Sequence, residues 1–403
     1  MENWRNTFQL KLTSLKPIDV NRIMGIYCAV YAVACMMVVF SNLGLHGDEF
    51  HFYPTIRQFA EDPSWNTLLY YNELTTPLTF IFYAAFGTIA NLDILTLRLF
   101  SVIISVATLY SIYKLGLVYL SDHFKAFVLV LLFSLNPYFI GLSIYVYTDM
   151  LTLFFMFWVF IFYKNNHAVG YALAAAAAIL CRQHSLLIIL SVLFSHLFIG
   201  FYKKDKIQRS FVFASLLSFV PSFLLFYFWN GLTPNGPMSE KMRAFQLVYE
   251  PSAITTYLFS IALYSIPLIL YYRKDIFMIA EKYWLLGFSL LYFLFPVKPA
   301  LCAVKDGVFS VGIFHKSLIK FLSPIFVDSV LYVFFTAGVF LVFYFFKHIK
   351  IDFQKQTNLW SVAMGFSILT FVIIMPFSFQ IWEKYVLIIL PSSFILLLKQ
   401  HNH

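Results

Sequence analysis

Long apolar runs, each near the length of a bilayer crossing, recur along the whole chain. They lie at about 23–43, 74–90, 94–120, 125–142, 149–163, 168–181, 185–202, 209–230, 253–272, 282–297, 321–346, 358–376 and 385–398. A helix needs about 20 apolar residues to span the hydrocarbon core, and only helices and closed barrels satisfy their own backbone polar groups there. The pattern therefore predicts an all-α polytopic membrane protein. Composition agrees: 61% of the 403 residues are apolar and 12% charged, against about 25% charged in a soluble domain. A water-soluble enzyme, a disordered chain and a fibrous repeat are excluded, and the connectors leave no room for a large soluble domain.

The 28 Lys and Arg exceed the 19 Asp and Glu, for a net charge of +9. In a membrane protein this reads as basic cytoplasmic loops and attraction to anionic lipid headgroups. No basic patch stands outside the membrane loops, so nucleic acid is not a partner. If every apolar run crossed, the connectors 114–125 and 203–209 would lie outside, against the positive-inside bias. Letting 74–90 enter and leave by one face removes that conflict. The run is short, opens on Thr75-Thr76-Pro77 and closes between Gly87 and Asn91, as a re-entrant or interfacial element does.

About twelve spans then remain, with both termini cytoplasmic. Most of the basic residues collect inside, among them Arg5, Lys11, Lys16, Arg22, Lys114, Lys125, Lys204 and Lys206. Residues 1–403 read as a single transmembrane domain. Its outer loops are 44–93 (with the re-entrant element), 143–149, 181–185, 231–252, 298–320 and 377–384. Trp229 and Trp382 stand at outer span ends and Trp284 and Trp360 at inner ends, where interfacial anchors belong. The four cysteines have no metal-ligand spacing and read as small apolar residues. The inner connectors are short and basic, so function is expected to face outward.

The densest polar run is Leu45-His46-Gly47-Asp48-Glu49-Phe50-His51, directly after the first span. Adjacent carboxylates between histidines suit general-base work or metal binding; the same residues also fit the capped start of a helix over 49–60. Tyr145-Val146-Tyr147-Thr148-Asp149 forms a second cluster, in which Asp149 also fits an N-cap. Arg182-Gln183-His184 divides two apolar runs, which makes it costly unless functional, although a hairpin turn has the same composition. Glu383-Lys384-Tyr385 precedes the last run, where a lysine can simply snorkel. Arg98 opens the third run, where an interface anchor is the plainer reading.

The arrangement chosen on Lys and Arg bias puts Asp48, Glu49, Arg98, Asp149, Arg182 and Lys384 on one face. The mid-depth of the spans is nearly free of ionisable groups, His196 and Asp328 excepted. An ion-coupled transporter usually carries its charges at the midplane. An enzyme taking a lipid-borne phosphate at the membrane surface needs an acidic base and several cations, which matches better. A lipid flippase or secondary transporter is the competing reading.

The run His46-Gly47-Asp48-Glu49-Phe50-His51, with Arg57-Gln58 and Thr75-Thr76-Pro77-Leu78, resembles the first-loop signature of the GT-C glycosyltransferases, which use polyprenyl-phosphate-linked sugars. More narrowly it is similar to the dolichyl-phosphate-glucose α-1,2-glucosyltransferase family. Leu97-Arg98-Leu99-Phe100, Tyr145 to Asp149, Cys181-Arg182-Gln183 and Glu383-Lys384-Tyr385 followed by Leu390-Pro391 resemble further motifs of that family, in the same order. A weaker likeness runs from Trp229-Asn230-Gly231 to Ser239-Glu240. The family's Asp-Asn-Arg-His-Tyr loop has no clear counterpart, Lys305-Asp306-Gly307 being nearest. The chain looks like a compact bacterial relative.

The resemblance implies a GT-C fold and inverting transfer of a hexose from a polyprenyl-phosphate sugar donor to a hydroxyl of a glycan acceptor. By match, Asp48 is the catalytic carboxylate, and Glu49 orients the acceptor or Asp48 itself. Arg182, Lys384 and Arg98 bind the donor phosphate, and His51, Tyr147, Asp149 and Gln183 bind substrate. Prenyl phosphate leaves as an anion, so no cofactor is required; a divalent metal, if used, would draw on His46, Glu49, His51 and Asp149. The expected setting is a multi-pass protein among membrane lipids, in a bacterial cytoplasmic membrane rather than endoplasmic reticulum. Its site would lie on the non-cytoplasmic face.

Overall fold

The computed structural model describes residues 17–41, 44–203, 209–242, 248–305, 307–355, 360–378 and 380–399. Arg5, Lys11, Lys16, Lys204, Lys206 and Asp306 lie outside the described residues. Among the described residues there are helices and no strand. Among the described residues six helices are long and apolar enough to cross a membrane: Ile18–Val39, Ile94–Leu120, Ser185–Tyr202, Arg209–Trp229, Pro324–Lys355 and Trp360–Phe377. The chain is thus an integral, multi-pass helical membrane protein. Apolar side chains such as Ile26, Val30, Val33 and Met37 stand exposed along the first of these helices, as lipid-facing residues do.

Several apolar runs that the sequence presents as single spans are shorter or broken. The run 125–142 folds as His123–Ser134 and Pro137–Ile144, bent by 74°. Pro137 cannot continue a helix, and the Asn136 side chain accepts the Tyr138 N–H at 2.9 Å to start a new one. The run 253–272 breaks at Ser265, after which Pro267 sits in the first turn of Ile266–Tyr271. The run 385–398 begins as a 3-10 turn, Glu383–Ile388, before the helix Leu390–Lys399. Within 74–90 the helix is Leu78–Ile89, preceded by an irregular 71–77; at 12 residues it is too short to cross alone.

The chain divides into two compact units. One holds the described residues up to Gln183 together with Ala214–Gly236; the other holds His184–Phe213 and the residues from Pro237 onward. In the first unit Ile94–Leu120 packs against Pro17–Val39, His123–Ser134, Pro137–Ile144 and Thr148–Lys164. Asp93 starts this central helix, its carboxylate accepting the Thr96 N–H at 2.9 Å. Gly116 lets the next helix close in: a Cβ there would lie 2.7 Å from Ala126 Cα. Many buried hydroxyls in the helices return to the chain, as Thr108 donates to the Ile104 carbonyl at 2.7 Å.

In the second unit Ser185–Lys203 packs on Trp360–Ile374, and Ser252–Tyr264 on Pro324–Lys355. The loop 298–320 carries an amphipathic helix, Ile313–Phe321. Two tryptophans depart from the anchoring role read from sequence. Trp229 is fully buried and its indole N–H donates to the Leu68 carbonyl at 3.0 Å. Trp360 is buried under the Lys399 ammonium, 4.6 Å above its ring.

Candidate active site

Three segments of the first unit adjoin one another: the loop 44–48 with the start of Glu49–Glu61, the loop 145–149, and the irregular 71–77. Glu49 fixes the first of these. It is fully buried, and a buried carboxylate is tolerated only when paired and hydrogen-bonded. Arg98 supplies both requirements, with Nε donating to Oε1 at 2.9 Å and Nη2 to Oε2 at 2.5 Å. The His46 N–H donates to Oε2 and the Val146 N–H to Oε1, each at 2.9 Å. Glu49 therefore ties the first and second loops together. Arg98 also donates to the Gly44 carbonyl at 2.7 Å and lies over the Tyr145 ring.

Arg98, expected at the donor phosphate, is buried and donates to Glu49 and Gly44. Glu49, expected to orient either the acceptor or Asp48, is fully buried directly beside Asp48 and anchors the loop that carries it.

Asp48 occupies the N-cap position of Glu49–Glu61, yet its side chain makes no capping hydrogen bond. It is only half-buried. The turn that presents it needs Gly47, whose φ is +57°. Beside Gly47 stands the Tyr147 hydroxyl, 2.4 Å from where a Cβ would be. Tyr147 also meets Phe52 edge-on, with ring centroids 6.1 Å apart.

Asp149 is not at an N-cap position: Tyr147 holds that position of Thr148–Lys164. Asp149 instead forms a buried ion pair with Arg182, which terminates Ala168–Cys181. Gln183 follows and donates to the Leu74 carbonyl at 2.6 Å, while Thr76 donates to the Ile179 carbonyl at 2.8 Å. Gln183 thereby holds the 71–77 segment in place.

That segment carries a residue the sequence reading missed. Glu73 is 2% exposed, and the Thr55 hydroxyl donates to its Oε1 at 3.3 Å. His51 Nδ1 lies 3.8 Å from the same oxygen. Burial pushes the Glu73 carboxyl up to about 8, with the Thr55 hydrogen bond opposing and the charge of Asp48 adding to the rise. A lone glutamate at the head of the apolar run 74–90 was the available signal, since buried Glu is rare without a partner.

Lys384 belongs to the second unit, where it is half-buried. Its neighbour Glu383 is fully buried and accepts the backbone N–H groups of Phe314 at 3.2 Å and His315 at 2.9 Å. The candidate metal set is divided, Glu49 and Asp149 each being taken up by an arginine. Among the described residues no group of three or more His, Cys, Asp or Glu is placed to hold a metal ion.

The fold and these contacts define a helical, multi-pass membrane protein in which a carboxylate-bearing loop adjoins two further polar segments. Compared with known proteins, the chain matches no family model, no curated protein and no solved structure.

Proposed function

We propose that this protein is an inverting glycosyltransferase of GT-C type, acting on the non-cytoplasmic face of a bacterial cytoplasmic membrane. It moves a hexose from a polyprenyl-phosphate donor to a hydroxyl of a lipid-linked or envelope glycan. The observation that carries the reading is Asp48. Its carboxylate makes no capping bond at a helix start where one is the norm, and the loop beneath it is clamped by Glu49 and Arg98. A carboxylate held this way suits a general base.

In the proposed reaction the acceptor hydroxyl passes its proton to Asp48 as its oxygen bonds to the anomeric carbon. The bond from that carbon to the phosphate oxygen breaks, and prenyl phosphate departs with the electron pair. Arg182, oriented by Asp149, is the first unit's cation for that anion, for which a guanidinium offers a two-pronged grip. Lys384 takes its phosphate-binding part from the family resemblance alone. The twelve crossings expected from the sequence would need short apolar helices such as Ala168–Cys181 to supplement the long ones.

The test is transfer by the purified protein in proteoliposomes supplied with radiolabelled prenyl-phosphate hexoses and extracted glycan acceptors. Release of prenyl phosphate with label appearing in glycan is expected. Movement of the intact donor across the bilayer without release would overturn the reading in favour of a flippase or secondary transporter.

A further inference from the structure

The loop 298–320 is basic and apolar at once. It holds Lys298, Lys305, Lys316 and Lys320 against the single acid Asp306. Its helix Ile313–Phe321 packs inward through one side: Phe314 meets Phe334 edge-on, with ring centroids 5.6 Å apart, and His315 is buried. At 3.6 residues per turn, Lys316 and Lys320 fall on the far side with Ser317 and Ile313, and all four are exposed. Ile319 and Phe321 occupy the two flanks and are exposed as well.

The exposed apolar surface continues beyond this helix. Phe321 is 75% exposed, and after Leu322 the surface runs onto Pro324–Lys355, where Ile325 is 79% and Phe326 65% exposed. Pro324–Lys355 is long and apolar enough to cross a membrane. Only Leu322 and Ser323 separate the two helices, so the short one is tethered at the very start of the long one. Of the acids near the short helix, Glu383 is fully buried and accepts the Phe314 and His315 N–H groups, and Asp328 accepts the Tyr292 hydroxyl at 3.3 Å.

We propose that Ile313–Phe321 is a membrane-docking helix that binds anionic phospholipid headgroups through Lys316 and Lys320. Phe321 and Leu322 enter the edge of the acyl layer beside Ile325 and Phe326, while the ammonium groups stay level with the lipid phosphates. Buried apolar area and attraction to anionic lipid then act together. In water the same residues would leave a contiguous apolar patch uncovered next to a membrane-crossing helix. Because Glu383 holds the first turn, docking also steadies the step that carries Lys384. The proposal does not depend on the glycosyltransferase reading.

The first measurement reads depth, in the full chain in lipid nanodiscs. Cys28→Ser removes the cysteine that is not buried, and a nitroxide is attached at Phe321→Cys or at Lys320→Cys, about 100° away around the helix. The label at 321 is expected to be relaxed more by oxygen, which concentrates among acyl chains, than by a water-soluble nickel chelate. The label at 320 should show the reverse. Equal chelate access at both positions would put the helix in water and overturn the proposal.

The second measurement reads lipid charge. Amide exchange over 313–321 is compared in phosphatidylcholine discs with and without phosphatidylglycerol, with exchange over 324–355 as the control for folding. Phosphatidylglycerol should slow exchange about tenfold, in keeping with two lysines near an anionic surface. The double variant Lys316→Gln/Lys320→Gln should remove the difference, as should high salt. Equal exchange in both lipids, or a difference that the double variant keeps, overturns the headgroup assignment. Slowing by soluble polyglutamate but not by phosphatidylglycerol would identify an acidic protein as the partner and overturn the lipid proposal.

Discussion

Glu49 and Arg98 form a two-pronged, solvent-excluded ion pair, with contacts of 2.9 and 2.5 Å, at the foot of the loop that carries Asp48. Removing one partner of such a pair strands the other as a buried charge, at a cost of about 3–5 kcal/mol. Arg98→Met and Glu49→Leu should each lower the thermal midpoint of the purified protein strongly. The double variant should be less damaged than either single one, because both charges are then gone. A double variant no milder than the singles would show that charge burial is not what the pair relieves.

Asp48 gives the opposite expectation. Its carboxylate contributes no cap to Glu49–Glu61, so Asp48→Asn removes no capping bond and should lower the melting midpoint far less than Glu49→Leu. Transfer should fall by about 10²–10⁴-fold, the usual contribution of a positioned general base. Comparing melting with initial rates on the same preparation checks both halves, and near-normal turnover would remove Asp48 from the base role.

Gly47 allows a finer dissection. Its φ of +57° is costly for any residue with a Cβ, by about 1–2 kcal/mol. The Tyr147 hydroxyl adds a steric clash at 2.4 Å. Gly47→Ala should therefore destabilise the loop and depress transfer. In a Tyr147→Phe background the nearest remaining ring atom lies 3.6 Å away, so the same substitution should cost only the backbone part. A double-mutant cycle on thermal stability measures the difference.

What could be read in advance follows from how far each signal reaches along the chain. Helix class and membrane placement come from local periodicity, which the apolar runs display openly. Asn136-Pro137 also carried its break in plain residues, but inside an apolar run the hydropathy masks it. Arg98 and Glu49 are 49 positions apart, and no local pattern tells an arginine that meets a phosphate from one that neutralises a buried acid. Asp149 and Arg182 were singled out separately, while their pairing is a property of tertiary packing alone. Glu73 was passed over because its partners, Thr55 and His51, sit away from it on the helix Glu49–Glu61.

The buried state of Glu73 has a pH signature. The folded chain keeps its proton up to about pH 8, whereas the unfolded chain gives it up near 4.5. The stabilisation is complete below the lower value and is lost as pH rises through the upper one. Asp48 is the charged neighbour that pushes Glu73 in this direction, and His51 faces the same oxygen. Glu73→Gln, which cannot ionise, should lack this fall in stability, gaining on the order of a few kcal/mol over the native chain on the alkaline side. Unfolding midpoints of both proteins at about pH 5 and about pH 9 give the comparison; parallel lines would show that Glu73 ionises alike in both states.

Glu383 and Lys384 are adjacent, yet their expected effects separate. The Glu383 carboxylate accepts the Phe314 and His315 N–H groups and the Tyr264 hydroxyl, at 3.2, 2.9 and 3.1 Å. It thus satisfies the orphan donors at the start of Ile313–Phe321 and complements the positive end of that helix. Glu383→Ala should release the amphipathic helix, seen as faster amide exchange over 313–321, with transfer lost as a consequence. Lys384→Ala should leave that exchange untouched and weaken donor use, read as a higher donor KM that acceptor concentration does not alter. If Lys384→Ala instead loosened 313–321 to the same extent, the whole Glu383-Lys384 step would be a structural strap, and the phosphate-binding part assigned to Lys384 would have to be withdrawn.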